Sequence, residues 1–123
     1  MSYDDNNIFA KILRGEIPCK KIYEDEYILS FYDINPQKKI HALVIPKGKY
    51  IDLDDFNENA SDKKIVGVIK GVSTVAKKLG ISVYNNGKGY RTLSNIGDYG
   101  GQEVPHLHFH LFGGEKVGKM VSD

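Results

Sequence analysis

Three of the four histidines in this chain of 123 residues stand at alternate positions near its C-terminal end, as His106, His108 and His110. The residues that separate them, Leu107 and Phe109, are apolar. Alternate side chains of a β-strand face opposite ways, so a strand here would bury the apolar residues and place three imidazoles on the other face, with Cα atoms about 6.6 Å apart in succession. The spacing therefore predicts a histidine-lined site on the last strand.

Three interpretations of this row of histidines are possible. In the first, the three histidines simply occupy solvent-facing positions of the strand. Histidine is not a preferred residue at such positions, where Thr, Lys or Glu would serve. A metal site is the second, because His-x-His on a strand presents two imidazoles to one ion; His106 and His108 would then need a third ligand, such as His41 or Glu103. Nucleophilic and acid–base catalysis is the third, since neutral imidazole is a nucleophile near neutral pH and neighbouring imidazoles disfavour one another's protonation. We favour the third interpretation.

The elements that must position these histidines follow from apolar periodicity and turn residues. Apolar residues at spacings of three and four predict a long helix over 61–79, which Gly80 would end, and Asn7 is the expected N-cap of a short helix over 8–13. The segment 52–59 is polar and predicted to be irregular, and 113–123 to be an extended tail. Strands are predicted over 22–24, 27–32, 41–45, 90–94 and 104–112. Strands that do not alternate regularly with helices indicate an α+β fold with two helices and an antiparallel sheet of about five strands.

Composition and charge exclude several classes of protein. Hydrophobic residues make up 41% of the chain and charged residues 27%, and the net charge is +1. These values are ordinary for one soluble domain, here 1–123, and they argue against a basic nucleic-acid face or a polybasic membrane patch. Cys19 is the only cysteine, which excludes an internal disulfide and a cysteine pair for structural zinc. With an acidic start that does not resemble a signal peptide, we expect a cytoplasmic protein.

The segment 106–112, His-Leu-His-Phe-His-Leu-Phe, resembles the motif His-φ-His-φ-His-φ-φ of the histidine triad (HIT) superfamily. The similarity extends over nearly the whole chain, through 8–12, 31–34, 41–46 and 100–102. It implies a HIT-like α+β fold. The third histidine of the motif, His110, and the pair Gly113-Gly114 make the chain most similar to the Hint branch, whose members are purine nucleoside phosphoramidate hydrolases.

The resemblance implies a role for each polar position. His108 would be the nucleophile that becomes nucleotidylated, and His110 would contact the phosphate and help to protonate the leaving group. His106 and His41 would orient the nucleophile and hold its hydrogen-bond network. Asp33 would accept both ribose hydroxyls, which suits a carboxylate because it can receive two donors at once.

The resemblance also implies how the rest of the nucleotide is held. Apolar residues would surround the purine: Ile8, Phe9, Ile12, Ile17 and Phe31, with Ile34 beside Asp33. Asn95 and the loop residues Gly101, Gln102 and Glu103 would bind the phosphate. A carboxylate repels phosphate, so for Glu103 the backbone N–H is the group that remains available for this contact.

The expected ligand is a purine nucleotide, AMP, GMP or their phosphoramidates, with no cofactor and no metal ion. Hint-type proteins resemble one another in pairing through the long helix and a strand, so we expect a homodimer. Gly67 and Gly71, four positions apart in that helix, would allow close approach of a second helix. Two alternatives stay open: a metal-binding histidine site, and a nucleotide-binding scaffold with vestigial hydrolysis.

Overall fold

The computed structural model describes residues 2–121, and this part of the chain contains three α-helices and five β-strands. The helices are α1 (Ile8–Leu13), α2 (Leu53–Asn59) and α3 (Asp62–Lys78). The strands are β1 (Lys21–Glu24), β2 (Ile28–Tyr32), β3 (Ile40–Pro46), β4 (Arg91–Leu93) and β5 (Phe109–Gly113). A 3₁₀ turn covers Val83–Asn85. No helix within residues 2–121 combines the length and hydropathy that a membrane crossing requires.

The strands form one antiparallel sheet in the order β1-β2-β3-β5-β4, which confirms the predicted α+β fold. The last strand is therefore inserted between β3 and β4. The register pairs His41 with Phe112 and Leu43 with His110. Paired residues share a face of the sheet, so His41 and His110 are diagonal neighbours on the same face.

Each face of the sheet packs against a different helix. Helix α3 covers one face, where Ile28, Val44 and Leu111 meet Val68 and Val75 in the larger core. Helix α1 lies on the other face, which carries the histidines. The smaller core on that side contains Phe9, Leu29, Phe31, Leu43 and Ile45.

The two glycines of α3 are needed inside this chain, which corrects the expectation that they serve a second helix. A Cβ atom added to Gly71 would lie 2.6 Å from Cδ1 of Ile28, and one added to Gly67 would overlap the ring of Tyr27. Glycine in a helix interior costs about 1 kcal/mol relative to alanine. Here the missing side chains let α3 approach β2 closely.

The segment 52–59, predicted to be irregular, contains helix α2, so the chain has three helices rather than two. The Asp52 carboxylate caps it by accepting from the backbone N–H of Asp55 at 2.8 Å. Among its polar residues, Leu53 and Phe56 are spaced to share one face, and Phe56 is buried against Tyr50. One short apolar face is enough to dock a helix of seven residues.

The last strand is also shorter than predicted, since it begins at Phe109 rather than at residue 104. Pro105 has no backbone N–H, and the N–H of Leu107 donates to the carbonyl of Tyr50 at 2.9 Å. His106 and His108 thus precede the strand in an irregular segment, and only His110 lies within it. Of the predicted tail, residues 122 and 123 lie outside the described residues.

Candidate active site

Two of the three clustered histidines, His108 and His110, line one cavity of about 140 Å³ on the α1 side of the sheet. The other lining residues are Phe9, Asp33, Gln37, Leu43, Asn95, Gly101, Glu103 and Val104. The lining contains two carboxylates and no lysine or arginine. A larger groove of about 1050 Å³, lined in part by Ile81 and Lys88, contains no imidazole. The residues able to do chemistry therefore meet in the smaller cavity.

The protonation state of His108 follows from its hydrogen bond to the backbone. Nδ1 of His108 lies 2.7 Å from the carbonyl oxygen of His106. A carbonyl can only accept, so Nδ1 carries the proton and a neutral ring has its lone pair on Nε2. The ring packs edge-on against Phe9, with 5.0 Å between ring centroids. His108 is therefore a fixed imidazole with an unprotonated nitrogen.

The pair His41 and His110 has its protons fixed in the same way. The backbone N–H of Gln37 donates to Nδ1 of His41 at 3.2 Å, so a neutral His41 carries its proton on Nε2. That nitrogen lies 2.9 Å from Nδ1 of His110 and 3.4 Å from Oδ2 of Asp33. Nδ1 of His110 accepts this bond, which leaves the proton of His110 on Nε2. His110 is thus a hydrogen-bond donor where His108 is an acceptor.

His106 is enclosed in the protein interior. Its Nε2–H donates to the carbonyl of Pro46 at 3.1 Å, and its Nδ1 accepts from the Tyr3 hydroxyl at 2.6 Å. The residue has no exposed surface. Both ring nitrogens of His106 are taken up by these hydrogen bonds, so His106 as hydrogen-bonded does not fit the metal site predicted with His108 and His41.

Burial holds all four imidazoles in the neutral form near pH 7. It lowers the pKa of His106 to about 4, and the bond to the Pro46 carbonyl opposes that shift. Burial, together with the charges of His108 and His41, lowers the pKa of His110 to about 4. The pKa values of His108 and His41 are also lowered, first by burial, and Asp33 opposes both shifts.

A different set of possible metal ligands, Asp33, His41 and His110, has donor atoms within 4.8 Å of one another. A metal ion binds the lone pair of a neutral imidazole nitrogen. Nε2 of His41 carries a proton because its Nδ1 accepts from the Gln37 amide. An ion bound there would have to break that bond, so these residues as hydrogen-bonded do not fit a metal ion.

The apolar residues predicted to surround the purine differ in how deeply they are buried. Phe9 and Phe31 are buried edge to face, with ring centroids 5.6 Å apart, and Phe9 lines the cavity. Ile12 and Ile17 are half-buried, and Ile12 packs against the smaller core. Ile8 is 40% exposed and Ile34 is 84% exposed. Of these predicted residues, Phe9 alone lines the cavity, and Ile34, which follows Asp33 in the chain, has an exposed apolar side chain.

The predicted phosphate-binding loop lies partly at the cavity. Asn95, Gly101 and Glu103 line it, and Gly101 has a φ of +77°, which glycine adopts without strain. Gln102 does not line it: its amide donates to the carbonyls of Ile51 and Val104, and its carbonyl accepts from the N–H of Gly97. The side chain of Gln102 therefore braces the loop.

Three contributors to the site escaped the sequence analysis. Tyr3 bonds to a residue 103 positions away, and no local pattern signals that contact. The Gln37 contribution is a backbone N–H, which any residue except proline could supply. Ser94 donates its hydroxyl to the carbonyl of His108 at 2.8 Å and fixes the segment that precedes β5. In the sequence analysis, the prediction of Asn95 as a phosphate-binding residue was the one sign that this segment belongs to the site.

Comparison with known protein families shows which family this chain belongs to. The family model described as HIT domain matches residues 14–117, which include all four histidines. The chain belongs to the HIT domain family.

HIT relatives and solved HIT structures cover almost the whole chain. A 13.2 kDa HIT-like protein of Azospirillum brasilense is 52% identical over 98% of this chain and 96% of its own length. A structure described as a HIT family hydrolase from Clostridium thermocellum matches with a TM-score of 0.84 and 37% identity, over 96% of this chain and 99% of that one. A histidine triad nucleotide-binding protein from Candida albicans matches with a TM-score of 0.74 and 32% identity, over 96% and 87%.

The burial of His106 predicts that this HIT protein loses stability in mild acid. The pKa of His106 is about 4 in the folded protein, against about 6.5 in an unfolded chain. Between these values the unfolded chain binds more protons, so the free energy of unfolding falls as the pH falls from about 6.5 to about 4, by at most about 1.4 kcal/mol per pH unit for this group. Denaturant unfolding at several pH values measures the slope.

His106→Gln is the matched control, because glutamine keeps a donor for the Pro46 carbonyl but does not titrate. Its unfolding free energy should depend less steeply on pH, by the contribution of one group. Equal slopes for the wild type and the variant would show that His106 does not titrate in this way.

Proposed function

We propose that this HIT protein hydrolyses the P–N bond of purine nucleoside 5′-phosphoramidates, derivatives of AMP or GMP, as members of the Hint branch do. The observation that carries the proposal is the complementary protonation of His108 and His110. One cavity thus offers a nucleophilic nitrogen and an N–H donor, with 5.1 Å between ring centroids.

In the first step, the Nε2 lone pair of His108 attacks the α-phosphorus in line with the P–N bond. That bond breaks, and its electron pair stays on the amine nitrogen. This nitrogen accepts a hydrogen bond from Nε2–H of His110 and takes one proton from solvent water, so a neutral amine departs. The products are the amine and a nucleotidyl-His108. The phosphorylated ring of His108 carries a positive charge, and His110 stays neutral because the His41 N–H donates to its Nδ1 and the proton on its Nε2 is kept.

In the second step, water attacks the same phosphorus and the bond to His108 breaks, with its electron pair returning to Nε2. One water proton is released to solvent, which balances the proton taken up in the first step, and the nucleoside monophosphate leaves with His108 neutral again. His106 and His41 do not contact the substrate in this scheme. They hold the backbone carbonyl and the ring that set the protons of His108 and His110.

The same cavity supports a placement for the nucleotide. The carboxylate of Asp33 accepts the N–H of Asn35 at 2.8 Å and keeps lone pairs for two ribose hydroxyls. The purine would lie between Phe9 and the exposed side chain of Ile34. With no lysine or arginine in the lining, the phosphate would be met by the backbone N–H of Glu103 and by Asn95. The N–H groups of Gly101 and Gln102 donate to the carbonyls of Asp98 and Gly97.

Turnover of adenosine 5′-phosphoramidate by single-histidine variants tests the proposed function. Loss of the nucleophile in His108→Ala should lower kcat by roughly four orders of magnitude or more. His106→Ala and His41→Ala should be slower but measurable, because these residues only orient the others, and His110→Ala should fall between. Release of AMP, followed by chromatography, gives the rates.

A His108→Ala variant with wild-type turnover would contradict the assignment of the nucleophile. A wild-type protein that binds AMP but releases no amine from any phosphoramidate would contradict the hydrolase itself. That outcome would favour a nucleotide-binding scaffold.

The ribose contact predicts a loss of affinity in Asp33→Asn. Asparagine keeps an acceptor for the Asn35 N–H but removes the charge, and a hydrogen bond to a charged group contributes about 1.5–3 kcal/mol. AMP should therefore bind more weakly by roughly 10- to 150-fold in calorimetry. Asp54→Asn, on the exposed side of α2, is the control and should leave the affinity unchanged. Equal affinities for the wild type and Asp33→Asn would remove Asp33 from the ribose site.

We also propose a homodimer that forms through α3 and the edge strand β4. Val66 and Ile69, on the outer side of α3, are 50% and 53% exposed, and β4 has one unpaired edge. Light scattering should give the mass of a dimer at micromolar concentration. Ile69→Lys should shift that mass towards the monomer, whereas Lys70→Ala should not. A monomeric wild type would refute the dimer.

A further inference from the structure

Tyr3 is a residue of the N-terminal segment that reaches into the interior beside the site. Its hydroxyl lies 2.6 Å from Nδ1 of His106, and the two rings meet edge to face with centroids 5.6 Å apart. We propose that Tyr3 is a positioning residue for His108 and acts through His106. The inference rests on the proposed function, since it concerns the same nucleophile.

The direction of each hydrogen bond connects Tyr3 to His108. Nε2 of His106 donates to the Pro46 carbonyl, so Nδ1 has a lone pair and Tyr3 must donate to it. The ring of His106 is held at both nitrogens. The backbone carbonyl of the same residue then accepts Nδ1–H of His108 at 2.7 Å, and this bond keeps the lone pair of His108 on Nε2.

His106 lies outside the sheet, so its side-chain bonds contribute to its position. Strand β5 begins only at Phe109, so no strand partner holds the His106 carbonyl in place. Within residues 2–121, the N–H of His106 bonds to the nearby carbonyl of Val104 alone, at 2.8 Å. The planar peptide unit that carries the His106 carbonyl is also held by the N–H of Leu107, which donates to the carbonyl of Tyr50 at 2.9 Å. The side-chain bonds to Tyr3 and Pro46 hold the other side of His106, and together these contacts place the carbonyl that orients His108.

The N-terminal segment is held in place by the residues that follow Tyr3 in the chain. Asn7 donates from its side chain to the carbonyl of Asp4 at 2.7 Å while capping α1. The carboxylate of Asp5 pairs with Lys49 at 2.9 Å, and its carbonyl accepts from Arg14 at 2.9 Å. Burial raises the pKa of Tyr3, so the hydroxyl keeps the proton that it donates.

Tyr3→Phe removes the hydroxyl and leaves the ring in place. We expect kcat for adenosine 5′-phosphoramidate to fall about 10- to 100-fold while KM changes little, because the nucleophile is misplaced and the nucleotide contacts are intact. Tyr84→Phe, in which the tyrosine is 87% exposed, is the control and should change kcat by less than about twofold.

A double-variant cycle separates positioning from a general loss of structure. In a His106→Ala background, Tyr3→Phe should lower kcat by less than about twofold further, because the route to His108 is already broken. The same loss in both backgrounds, or wild-type kcat in Tyr3→Phe, would overturn the inference.

Nitrogen NMR of the histidine rings tests the proposal without any substrate, and so separates its failure from that of the proposed function. In the wild type, His106 should be unprotonated at Nδ1 and His108 unprotonated at Nε2. In Tyr3→Phe, His108 should become a mixture of tautomers while the amide spectrum stays folded. A wild-type His106 protonated at Nδ1 would refute the proposal even if Tyr3→Phe failed to fold.

Discussion

The directions of three backbone hydrogen bonds determine what this site can do. A carbonyl accepts from His108, another accepts from His106, and an amide donates to His41. Backbone groups cannot exchange the roles of donor and acceptor, whereas an imidazole nitrogen can have either role. The fold therefore selects the tautomer of each histidine. His108 becomes an acceptor towards the cavity and His110, through His41, a donor.

Burial makes this arrangement useful at neutral pH. A charged imidazolium has no lone pair with which to attack phosphorus, and desolvation lowers the pKa values of all four histidines. The rings are thus neutral where the proposed chemistry needs them neutral. The same burial leaves each ring only a few possible partners, so each hydrogen bond has one direction.

The sequence predicted the antiparallel sheet and a cluster of histidines near its last strand, and it did so for physical reasons. The apolar residues between the histidines and the periodic apolar face of α3 indicate which side chains are buried. The resemblance to the HIT superfamily predicted supporting roles for His106 and His41. Helix α2 was missed because its face consists of only two apolar residues, Leu53 and Phe56. The start of β5 was misplaced because alternation continues through a segment that pairs with no strand.

Contacts between distant parts of the chain are what the sequence could not show. The partners of His106 are Tyr3 and the carbonyl of Pro46, which lie 103 and 60 positions away. Pattern reading detects which residues are buried and at what period, but not which buried acceptor meets which donor. For the same reason, the purpose of Gly67 and Gly71 was assigned to a second chain when their close contacts lie within this one.

The central claim is that Nε2 of His108 forms a bond to the α-phosphorus. Rapid acid-free quenching during turnover of adenosine 5′-phosphoramidate, followed by peptide mass spectrometry, tests it most directly. The account predicts a nucleotide adduct on the peptide that contains residues 104–112, at His108, acid-labile as phosphorus–nitrogen bonds are and absent in His108→Ala. An adduct on another residue, or one that persists in His108→Ala, would contradict it.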